Sequence, residues 1–459
     1  MSLHPDGAPV PAGVTHVMVG FGAALLPDLD RLLPPGSLLI VEEPDVVAAR
    51  GLLPRAAEHP CVAVLITAPI HDEDDLSAML AAVPRPPAVR AVLPGVEYGV
   101  SGAAALADAW GLPGAGPAAA RILRDKALLR EAADRAGIPQ PRWKRVAGPE
   151  EVREFRSGTP DGRCVLKPAN RQGSLGVQLL DAADDLDEAW KRTVGADEPR
   201  LRARRLLPTT FLAEERLDGR EVSVECVVSD GRTLFLNITE KLVQGGRHPV
   251  EAGHQVPAHL LPAAPERIAD VMEQLVEATG FRTGVLHAEW ILRDGEHPQL
   301  VECAGRVPGD CIHELVDLAH GGSLVADFLT VLGGSDAVTR RTPRRHAAIR
   351  FLDCPPGTVE SVDGTEHAGA VPGVIKVHIG VGPGAYVGTV SNSHERVGYV
   401  VATGESADQV TTRVERAAAS VRFRLDADGS GGPAAARTGT PGHDSTGRST
   451  GRHGGGERS

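Results

Sequence analysis

The chain has 459 residues, a formal net charge of −12 and 42% hydrophobic residues. This length exceeds one small core, so two or three domains are expected, and the negative charge argues against a general nucleic-acid binder. No apolar run reaches the ~20 residues that span a bilayer, and no signal-peptide pattern opens the chain. The 6 cysteines show neither a CxxC pair nor a zinc spacing. The composition therefore predicts a cytoplasmic protein with reduced thiols and no nucleic-acid or membrane partner.

Short strands and helices alternate in the first part of the chain, which is typical of an α/β unit around a parallel sheet. The glycines of Gly20-Phe21-Gly22 follow the first strand, but Leu25 stands where a dinucleotide fingerprint has its third glycine. The turn is therefore interpreted as an ordinary strand-to-helix connection. The predicted elements are strands His16–Val19, Ser37–Val41, Val62–Thr67 and Ala91–Leu93 and, as examples of the helices, Asp74–Val83 and Ala103–Trp110.

One long helix is predicted from about Ala118 to Ala136, where a glycine and a proline end it. Strands dominate the region that follows, and a last segment ends in a helix that Ser406 opens with a capping-box pattern. Beyond Asp426 there are almost no apolar residues, so the tail is predicted to be disordered. Further predicted elements are helices Leu186–Val194 and Pro265–Thr279 and strands Ala347–Leu352, Val374–Val381 and Gly398–Val401.

Two acidic residues, Glu289 and Glu302, lie in neighbouring apolar strands that Asp294-Gly295 separates as a turn. If the hairpin folds about Asp294–His297, Glu289 faces Glu302. Their Cβ atoms are then about 5 Å apart, and like charges at that distance are destabilising. Such a pair usually needs a cation between its members. We interpret it as a Mg²⁺ site beside a nucleotide phosphate; two solvated strand glutamates are the alternative.

A segment that begins at Cys164 and ends at Leu180 is predicted to form a strand, a glycine-bearing loop and a second strand. Lys167 precedes this loop, which contains Gly173, Ser174 and Gly176. Glycines let backbone N–H groups wrap phosphate oxygens, and a lysine would neutralise a phosphate. The loop has neither the Gly-Lys-Ser/Thr of a Walker A motif nor the first glycine of a nucleophile elbow. It is interpreted as a phosphate-binding loop, with an ordinary flexible hairpin as the alternative.

A polar hinge connects the next two strands. Glu214, Glu215 and Leu217 precede an Asp218-Gly219 turn, and Glu221 opens an alternating strand. Backbone groups of such a hinge can bond the edge of an adenine, and an acidic side chain can accept hydrogen bonds from ribose hydroxyls. The segment is therefore a candidate nucleoside site; a charged hairpin turn is the alternative.

In this order the motifs resemble the ATP-grasp superfamily, over about Lys126–Leu332. The resemblance implies an ATP-grasp fold of mixed α/β and α+β class, in which two lobes clasp ATP behind an N-terminal Rossmann-like α/β lobe. The resemblance implies that the phosphates are bound by Lys126, Lys167 and the loop of Gly173, Ser174 and Gly176, and that Lys241 lies near the γ-phosphate. It implies adenine contacts for Glu214, Glu215 and Leu217 and a ribose contact for Glu221. Glu289 and Glu302 would coordinate Mg²⁺, or Mn²⁺ in its place.

Details near the second glutamate are most similar to the L-amino-acid ligases. Many superfamily members have asparagine two residues after that glutamate, where this chain has Ala304, and an arginine follows, here Arg306. Glu302-Cys-Ala-Gly-Arg306 is similar to the Glu-Ser-Ala-Ala-Arg of these ligases, and Gly253-His254-Gln-Val-Pro257 matches their Gly-His-x-x-Pro element. Arg306 is interpreted as binding the acceptor carboxylate and the later oxyanion, His254 as contacting substrate or the transferred phosphoryl group, and Glu97 as meeting the substrate amine.

The predicted function is ATP-dependent ligation of a small-molecule carboxylate to an amine through an acyl phosphate, with release of ADP and phosphate. Two alternatives are a carboxylase resembling biotin carboxylases and a degenerate ATP-binding module with a regulatory role. A homodimer is what the resemblance implies. The predicted domains are an α/β domain at 1–117, an ATP-grasp domain at 118–340, a strand-rich C-terminal lobe at 341–425 and a disordered tail at 426–459.

Overall fold

The structure, a computed structural model, describes residues 10–243, 249–339 and 341–426, so the predicted tail lies outside the described residues except for Asp426. The strands are β1 His16–Val19, β2 Leu38–Glu42, β3 Val62–Thr67, β4 Ala91–Pro94, β5 Trp143–Val146, β6 Cys164–Pro168, β7 Gln178–Leu180, β8 Phe211–Glu215, β9 Arg220–Ser229, β10 Arg232–Val243, β11 Glu251–Val256, β12 Gly284–Arg293, β13 His297–Ala304, β14 His346–Phe351, β15 Gly357–Asp363, β16 Val374–Ile379, β17 Tyr386–Val387, β18 Gly398–Gly404 and β19 Arg422–Leu425. The α-helices are α1 Leu26–Leu32, α2 Pro44–Arg50, α3 Leu52–Ala57, α4 Ser77–Ala82, α5 Val100–Trp110, α6 Pro117–Arg124, α7 Lys126–Ala136, α8 Pro149–Ser157, α9 Leu186–Gly195, α10 Ala264–Thr279, α11 Ile312–His320, α12 Leu324–Leu332, α13 Thr365–Gly369 and α14 Ala407–Ser420.

A parallel sheet in the order β3-β2-β1-β4 forms the N-terminal part. Successive residues of β1 and β2 enter two different core clusters, because parallel strands are covered on both faces. The predicted α/β alternation is confirmed, and the predicted strands His16–Val19 and Val62–Thr67 have the observed bounds. Glu97 follows β4 directly and lies at the carboxyl edge of this sheet.

The prediction of one helix from Ala118 to Ala136 is wrong, because the chain breaks it into α6 and α7 at Asp125. Asp125 is extended, and its carboxylate accepts hydrogen bonds from the backbone N–H groups of Ala127 at 2.7 Å and Leu128 at 3.3 Å. An aspartate that caps the second helix in this way cannot continue the first. The break makes Lys126 the first residue of α7.

An antiparallel sheet of eight strands, in the order β13-β12-β9-β10-β11-β14-β18-β16, forms the centre of the molecule. One face is apolar and packs on α6, α7 and α10 around the fully buried Trp290. The strands β14, β16 and β18 come from the predicted C-terminal lobe and extend this same sheet. Ser406 caps α14 by accepting from the N–H of Gln409 at 3.2 Å, as the capping-box pattern predicted.

A smaller antiparallel sheet, β5-β8-β6-β7, carries the glycine-bearing loop between β6 and β7. Helices α8 and α9 cover it on one side through the core cluster around Leu166 and Leu186. The backbone N–H of Lys126 donates to the carbonyl of Ala169 at 3.0 Å. This bond holds the start of α7 against the end of β6, so Lys126 and the loop meet.

Helices α11 and α12 belong to one core cluster that joins the N-terminal sheet to the eight-stranded sheet. The cluster contains Met18 of β1, Phe328 of α12 and Ile349 of β14, which fixes the two parts against each other. Among the described residues, no single helix is long and apolar enough to cross a membrane. Helices α11 and α12 taken together are long and apolar enough by length and composition alone, although the chain bends by 100° between them.

Candidate functional site

On its second face the eight-stranded sheet packs on α11 and α12 at one end, and the remaining part of this face is polar and lines a cleft of about 420 Å³ toward the smaller sheet. Side chains alternate between the faces of a strand, so Glu221, Ser223 and Glu225 of β9 share this face while the valines between them enter the core. Neighbouring strands continue the rows: Lys241 of β10 lies beside Glu221, and Glu289 of β12 lies beside Ser223. Polar side chains of the neighbouring strands β9, β10 and β12 thus form the floor of the cleft.

Glu289 and Glu302 face each other across β12 and β13, as the sequence predicted. The predicted turn is wrong by one residue, because Arg293 rather than Asp294 pairs with His297. Asp294 adopts a positive φ of 52° in the loop 294–296, which is one residue longer than predicted, and an irregularity next to Glu289 shifts the register back by one residue. The bulge restores the predicted pairing of the two carboxylates.

Each of these carboxylates contacts a lysine. Lys126 Nζ lies 3.0 Å from Glu302 and Lys241 Nζ lies 2.8 Å from Glu289. Among the described residues, no group of three or more histidine, cysteine, aspartate or glutamate side chains could hold an ion alone. Mg²⁺ keeps several water and phosphate oxygens when it accompanies a nucleotide, and it prefers oxygen donors. Two facing carboxylates beside lysines that are predicted to bind or approach phosphate therefore fit that ion.

Lys241 is the centre of a buried ion cluster. Besides Glu289, its ammonium group lies 3.4 Å from Glu251 and 3.8 Å from Glu221. Burial alone would lower the pKa of Lys241, but the charges of these glutamates raise it well above its ordinary value. Burial and the neighbouring carboxylates raise the pKa of Glu221, although Lys241 opposes them. Three carboxylates thus surround one buried ammonium group.

His287 lies beside Glu289 on β12, and sequence reasoning missed it. Its Nδ1 is 3.0 Å from Glu225, and its Nε2 is 3.4 Å from Glu289. Burial would lower the pKa of His287, but hydrogen bonds to the two glutamates raise it to about 9. The spacing His287-x-Glu289 could have predicted a shared strand face, although not the partner on β9.

Lys167 and Glu214 meet on β6 and β8 at the opposite wall of the cleft. Lys167 Nζ lies 2.7 Å from the Glu214 carboxylate, which also receives two hydrogen bonds from Arg130, at 2.9 and 3.0 Å. Arg130 is fully buried and was not predicted, although its position four residues after Lys126 places both on one face of α7. The predicted adenine contact of Glu214 stays a prediction, and its carboxylate positions Lys167.

Replacing Glu214 with glutamine is expected to lower the free energy of unfolding by roughly 3–5 kcal/mol at pH 7, because Arg130 and Lys167 lose a buried partner. Burial alone would raise the pKa of Glu214, but these two cations lower it from near 4.5 to about 2. The stability that Glu214 contributes is therefore complete above pH 4.5 and is lost as the pH falls toward 2. Denaturant unfolding of both proteins at several pH values measures the difference, with Glu215→Gln as the neighbouring control. If the difference in free energy of unfolding between the unmodified protein and Glu214→Gln is as large at pH 3 as at pH 7, the stabilising role of the Glu214 carboxylate is contradicted.

The glycine loop adopts the backbone that its sequence predicts. Gly173, Ser174 and Gly176 all have positive φ, from 60° to 73°, and the first two line the cleft. A Cβ on Gly173 would lie 3.0 Å from the ring of His394, and the Gly173 carbonyl accepts from the N–H of Ser393 at 3.2 Å. Gly176 lies outside the cleft lining and turns the chain into β7. The loop is thus held by residues of the C-terminal segment.

Apolar side chains also line the cleft beside the hinge. Glu215, Leu217 and Glu221 line it from both sides of the hinge, and their predicted contacts with adenine and ribose stay predictions. Flat apolar walls between two sheets suit a planar aromatic base. The other apolar side chains here were not predicted, because they come from six separate strands or loops: Val165, Val177, Leu179, Val243, Ile291 and Val301.

Arg306 also lines the cleft and is tied to the N-terminal part. Its Nε donates to Glu97 at 2.6 Å, and the second oxygen of Glu97 accepts from Arg124 at 2.7 Å. Arg124, which is buried and was not predicted, also lies 2.8 Å from Glu73. Burial would raise the pKa of Glu97, but the two arginines lower it to about 2. Glu97 therefore positions Arg306, and its predicted contact with a substrate amine stays a prediction.

His254 of β11 is buried beside Lys241 on the polar face. A Cβ at the preceding Gly253 would lie 2.4 Å from the carbonyl oxygen of Ile349, so the Gly-His pair lets β11 approach β14 closely. His254 Nε2 lies 3.3 Å from Asp310, which also lies 2.8 Å from Arg396. Arg396 contacts Glu251 as well and belongs to the C-terminal segment, so that segment contributes charge to the cleft.

Two families match this chain. Residues 161–314 match the ATP-grasp domain, and residues 350–426 match the L-amino acid ligase C-terminal domain 2. A protein of Sinorhizobium fredii called uncharacterized protein y4rH is 28% identical over 319 residues, which are 68% of this chain and 64% of that protein. The alanine–anticapsin ligase of Bacillus subtilis is 29% identical over 217 residues, 43% of this chain and 44% of the relative. The chain thus spans less than two thirds of the length of both relatives.

Among solved structures, the L-amino acid ligase from Bacillus licheniformis is similar with a TM-score of 0.71 and 18% sequence identity. The match covers 90% of this chain and 99% of that one. At this identity the likeness shows the fold, and the predicted fold class is confirmed. Both family matches agree with the predicted resemblance.

Proposed function

We propose that this chain, which belongs to the ATP-grasp superfamily, is an ATP-dependent ligase that joins a carboxylate to an amine. One observation carries the proposal. One cleft is lined by three lysines from different elements, by the facing pair Glu289 and Glu302, and by Arg306. A carboxylate is a poor electrophile, and a site that combines these groups can activate it by phosphorylation.

In the first step a carboxylate oxygen attacks the γ-phosphorus of ATP, and the bond to the β-phosphate oxygen breaks, which releases ADP. Phosphoryl transfer needs positioning and charge stabilisation rather than a nucleophilic side chain. Lys126 and Lys167, held by Glu302 and Glu214, would neutralise phosphate oxygens. Bound Mg²⁺, held by Glu289 and Glu302, would neutralise phosphate charge and act as a Lewis acid. Mn²⁺ is the predicted alternative ion.

In the second step the amine nitrogen attacks the acyl carbon of the acyl phosphate. The tetrahedral intermediate expels phosphate, and the nitrogen loses a proton, which leaves an amide. Arg306 lines the cleft together with Glu302 and can donate to the oxyanion or to the carboxylate of an amino-acid acceptor. Glu97 fixes the orientation of its guanidinium group. His254, buried beside Lys241, is placed to contact the transferred phosphoryl group or the substrate.

Two alternatives are weaker. A carboxylase resembling biotin carboxylases would use the same nucleotide site, but the C-terminal match is to an L-amino acid ligase domain. A degenerate ATP-binding module would not need the retained lysines, the acidic pair and an arginine held by a buried carboxylate. The small-molecule partners are therefore proposed to be a carboxylate and an amine, of the amino-acid class. The predicted homodimer stays a prediction.

The proposed function predicts that ADP and phosphate form only with particular pairs of carboxylate and amine. Phosphate release with ATP and Mg²⁺ is measured over paired amino acids, and mass spectrometry identifies products equal to both substrates less one water. The Glu302→Ala variant supplies the background from contaminating ATPases. ADP formation with bicarbonate and no amine would favour the carboxylase instead. Absence of ADP with every pair would contradict the ligase.

A further inference from the structure

Glu225 is a carboxylate in the interior of β9 that has no exposed surface. Four donors surround it, and none of them is a lysine or an arginine. Ser223 Oγ at 2.8 Å and His287 Nδ1 at 3.0 Å contact one oxygen. Asn237 Nδ2 and Thr239 Oγ1, both at 2.7 Å, donate to the other. Every lone-pair direction of this carboxylate thus has a partner, so its orientation is fixed.

The donors are cross-strand neighbours in the central sheet, so the backbone pairing sets the arrangement. Glu225 pairs with Asn237 of β10 on one side and with His287 of β12 on the other. Asn237 is fixed in turn, because its side-chain oxygen lies 3.0 Å from His320 Nε2. The opposite nitrogen of the His287 ring points along the polar face toward Glu289, at 3.4 Å. The row therefore connects α11 to the acidic pair in the cleft.

Burying a carboxylate costs free energy, and a well-packed apolar residue at such a position is often neutral or more stable. Stability alone therefore does not account for Glu225. A fixed ring does explain it, because a histidine held at one nitrogen presents the other nitrogen in one direction. The small side chain of Ala304, the cross-strand neighbour of His287, leaves the imidazole room on the side of β13.

We infer that Glu225 is a positioning residue that acts through His287 to orient the Glu289 carboxylate for metal binding. The inference rests on the proposed function, because it assumes that Glu289 holds the ion. Outer partners that orient metal-binding side chains typically contribute about tenfold or more to metal affinity. Glu225 itself touches neither the ion nor the substrates.

Binding of Mn²⁺, as a paramagnetic probe, to the protein with a non-hydrolysable ATP analogue tests the inference without turnover. Glu225→Gln and His287→Gln are each expected to weaken Mn²⁺ binding by about tenfold. The double variant is expected to bind no more weakly than either single variant, because both changes break the same chain of contacts from Glu225 through His287 to Glu289. Asp327→Asn is the matched control, since it removes a buried carboxylate paired with Arg341 away from the cleft and should leave Mn²⁺ binding unchanged.

Additive losses in the double variant, or unchanged Mn²⁺ binding in Glu225→Gln, would overturn the inference. If Glu225→Gln does not fold, Thr239→Val removes one donor to Glu225 with little change of shape, and about threefold weaker binding is expected. Unchanged binding in that variant counts against the inference too. Failure of the proposed metal site is recognised separately, because the unmodified protein and Glu289→Ala would then bind Mn²⁺ alike.

Discussion

Replacing Glu289 with alanine is expected to reduce amide formation by about a thousandfold, because a metal ion contributes several kcal/mol to stabilising charge in phosphoryl transfer. The protein should remain folded. Lys241 keeps Glu251 at 3.4 Å, and His287 keeps Glu225 at 3.0 Å, so neither buried cation is left without a partner. Loss of activity in a folded variant would therefore report on the metal site.

The measurement is the rate of ADP formation with an active pair of substrates, over a range of Mg²⁺ concentrations. Glu289→Ala should need much more Mg²⁺, whereas Glu296→Ala, in the turn of the same hairpin and outside the cleft, should behave like the unmodified protein. Thermal unfolding of both variants controls for stability. Near-normal rates in a folded Glu289→Ala variant would remove this residue from the metal site.

The polar floor of the cleft could be predicted because it depends on local sequence. Alternation along β9 and β12 places their acidic residues on one face, and hairpin pairing brings Glu289 opposite Glu302. The sequence predicts a loop one residue shorter than the observed one, and the predicted pairing of Glu289 with Glu302 still holds because a bulge shifts the register. Bulges depend on how a strand packs between its neighbours, and the sequence of one hairpin does not contain that information.

Most of the missed residues act over long distances in the chain. Arg130 contacts Glu214, 84 residues away, and Arg396 contacts Glu251, 145 residues away. Glu251 is a residue of the cleft lining, and Arg396 belongs to a C-terminal segment whose strands extend the central sheet. Charged residues that follow neither a helix nor a strand periodicity look like surface residues in a sequence. Only the fold shows that they are buried and paired.

The prediction of one helix in place of α6 and α7 is wrong for a related reason. Asp125 sits inside a segment of strong helix formers, so propensity favours one continuous helix. The observed break depends on tertiary contacts, since the N–H of Lys126 finds the carbonyl of Ala169 on β6. A cap and one long-range bond thus outweigh local preference, and they bring Lys126, which is predicted to bind phosphate, to the cleft.

Replacing Arg306 with alanine is expected to lower kcat/KM by about a hundredfold to a thousandfold, as loss of one oxyanion donor does in acyl transfer. Arg306→Lys should recover only part of this loss, because an ammonium keeps the charge but not the planar fork that binds a carboxylate. Arg293→Ala, at the exposed end of β12, is the control and should leave kcat/KM unchanged.

The two roles proposed for Arg306 predict different results with a modified acceptor. An amino-acid amide lacks the acceptor carboxylate but still forms the tetrahedral oxyanion. If Arg306 mainly binds that carboxylate, the alanine variant should use acid and amide acceptors almost equally, and the loss should appear in the acceptor KM. If Arg306 mainly stabilises the oxyanion, kcat should fall for both acceptors alike. Glu97 accepts from Nε, and within residues 10–243, 249–339 and 341–426 no hydrogen bond engages Nη2, so the group can serve either role. Normal amide yield from Arg306→Ala with both acceptors would exclude Arg306 from the chemistry.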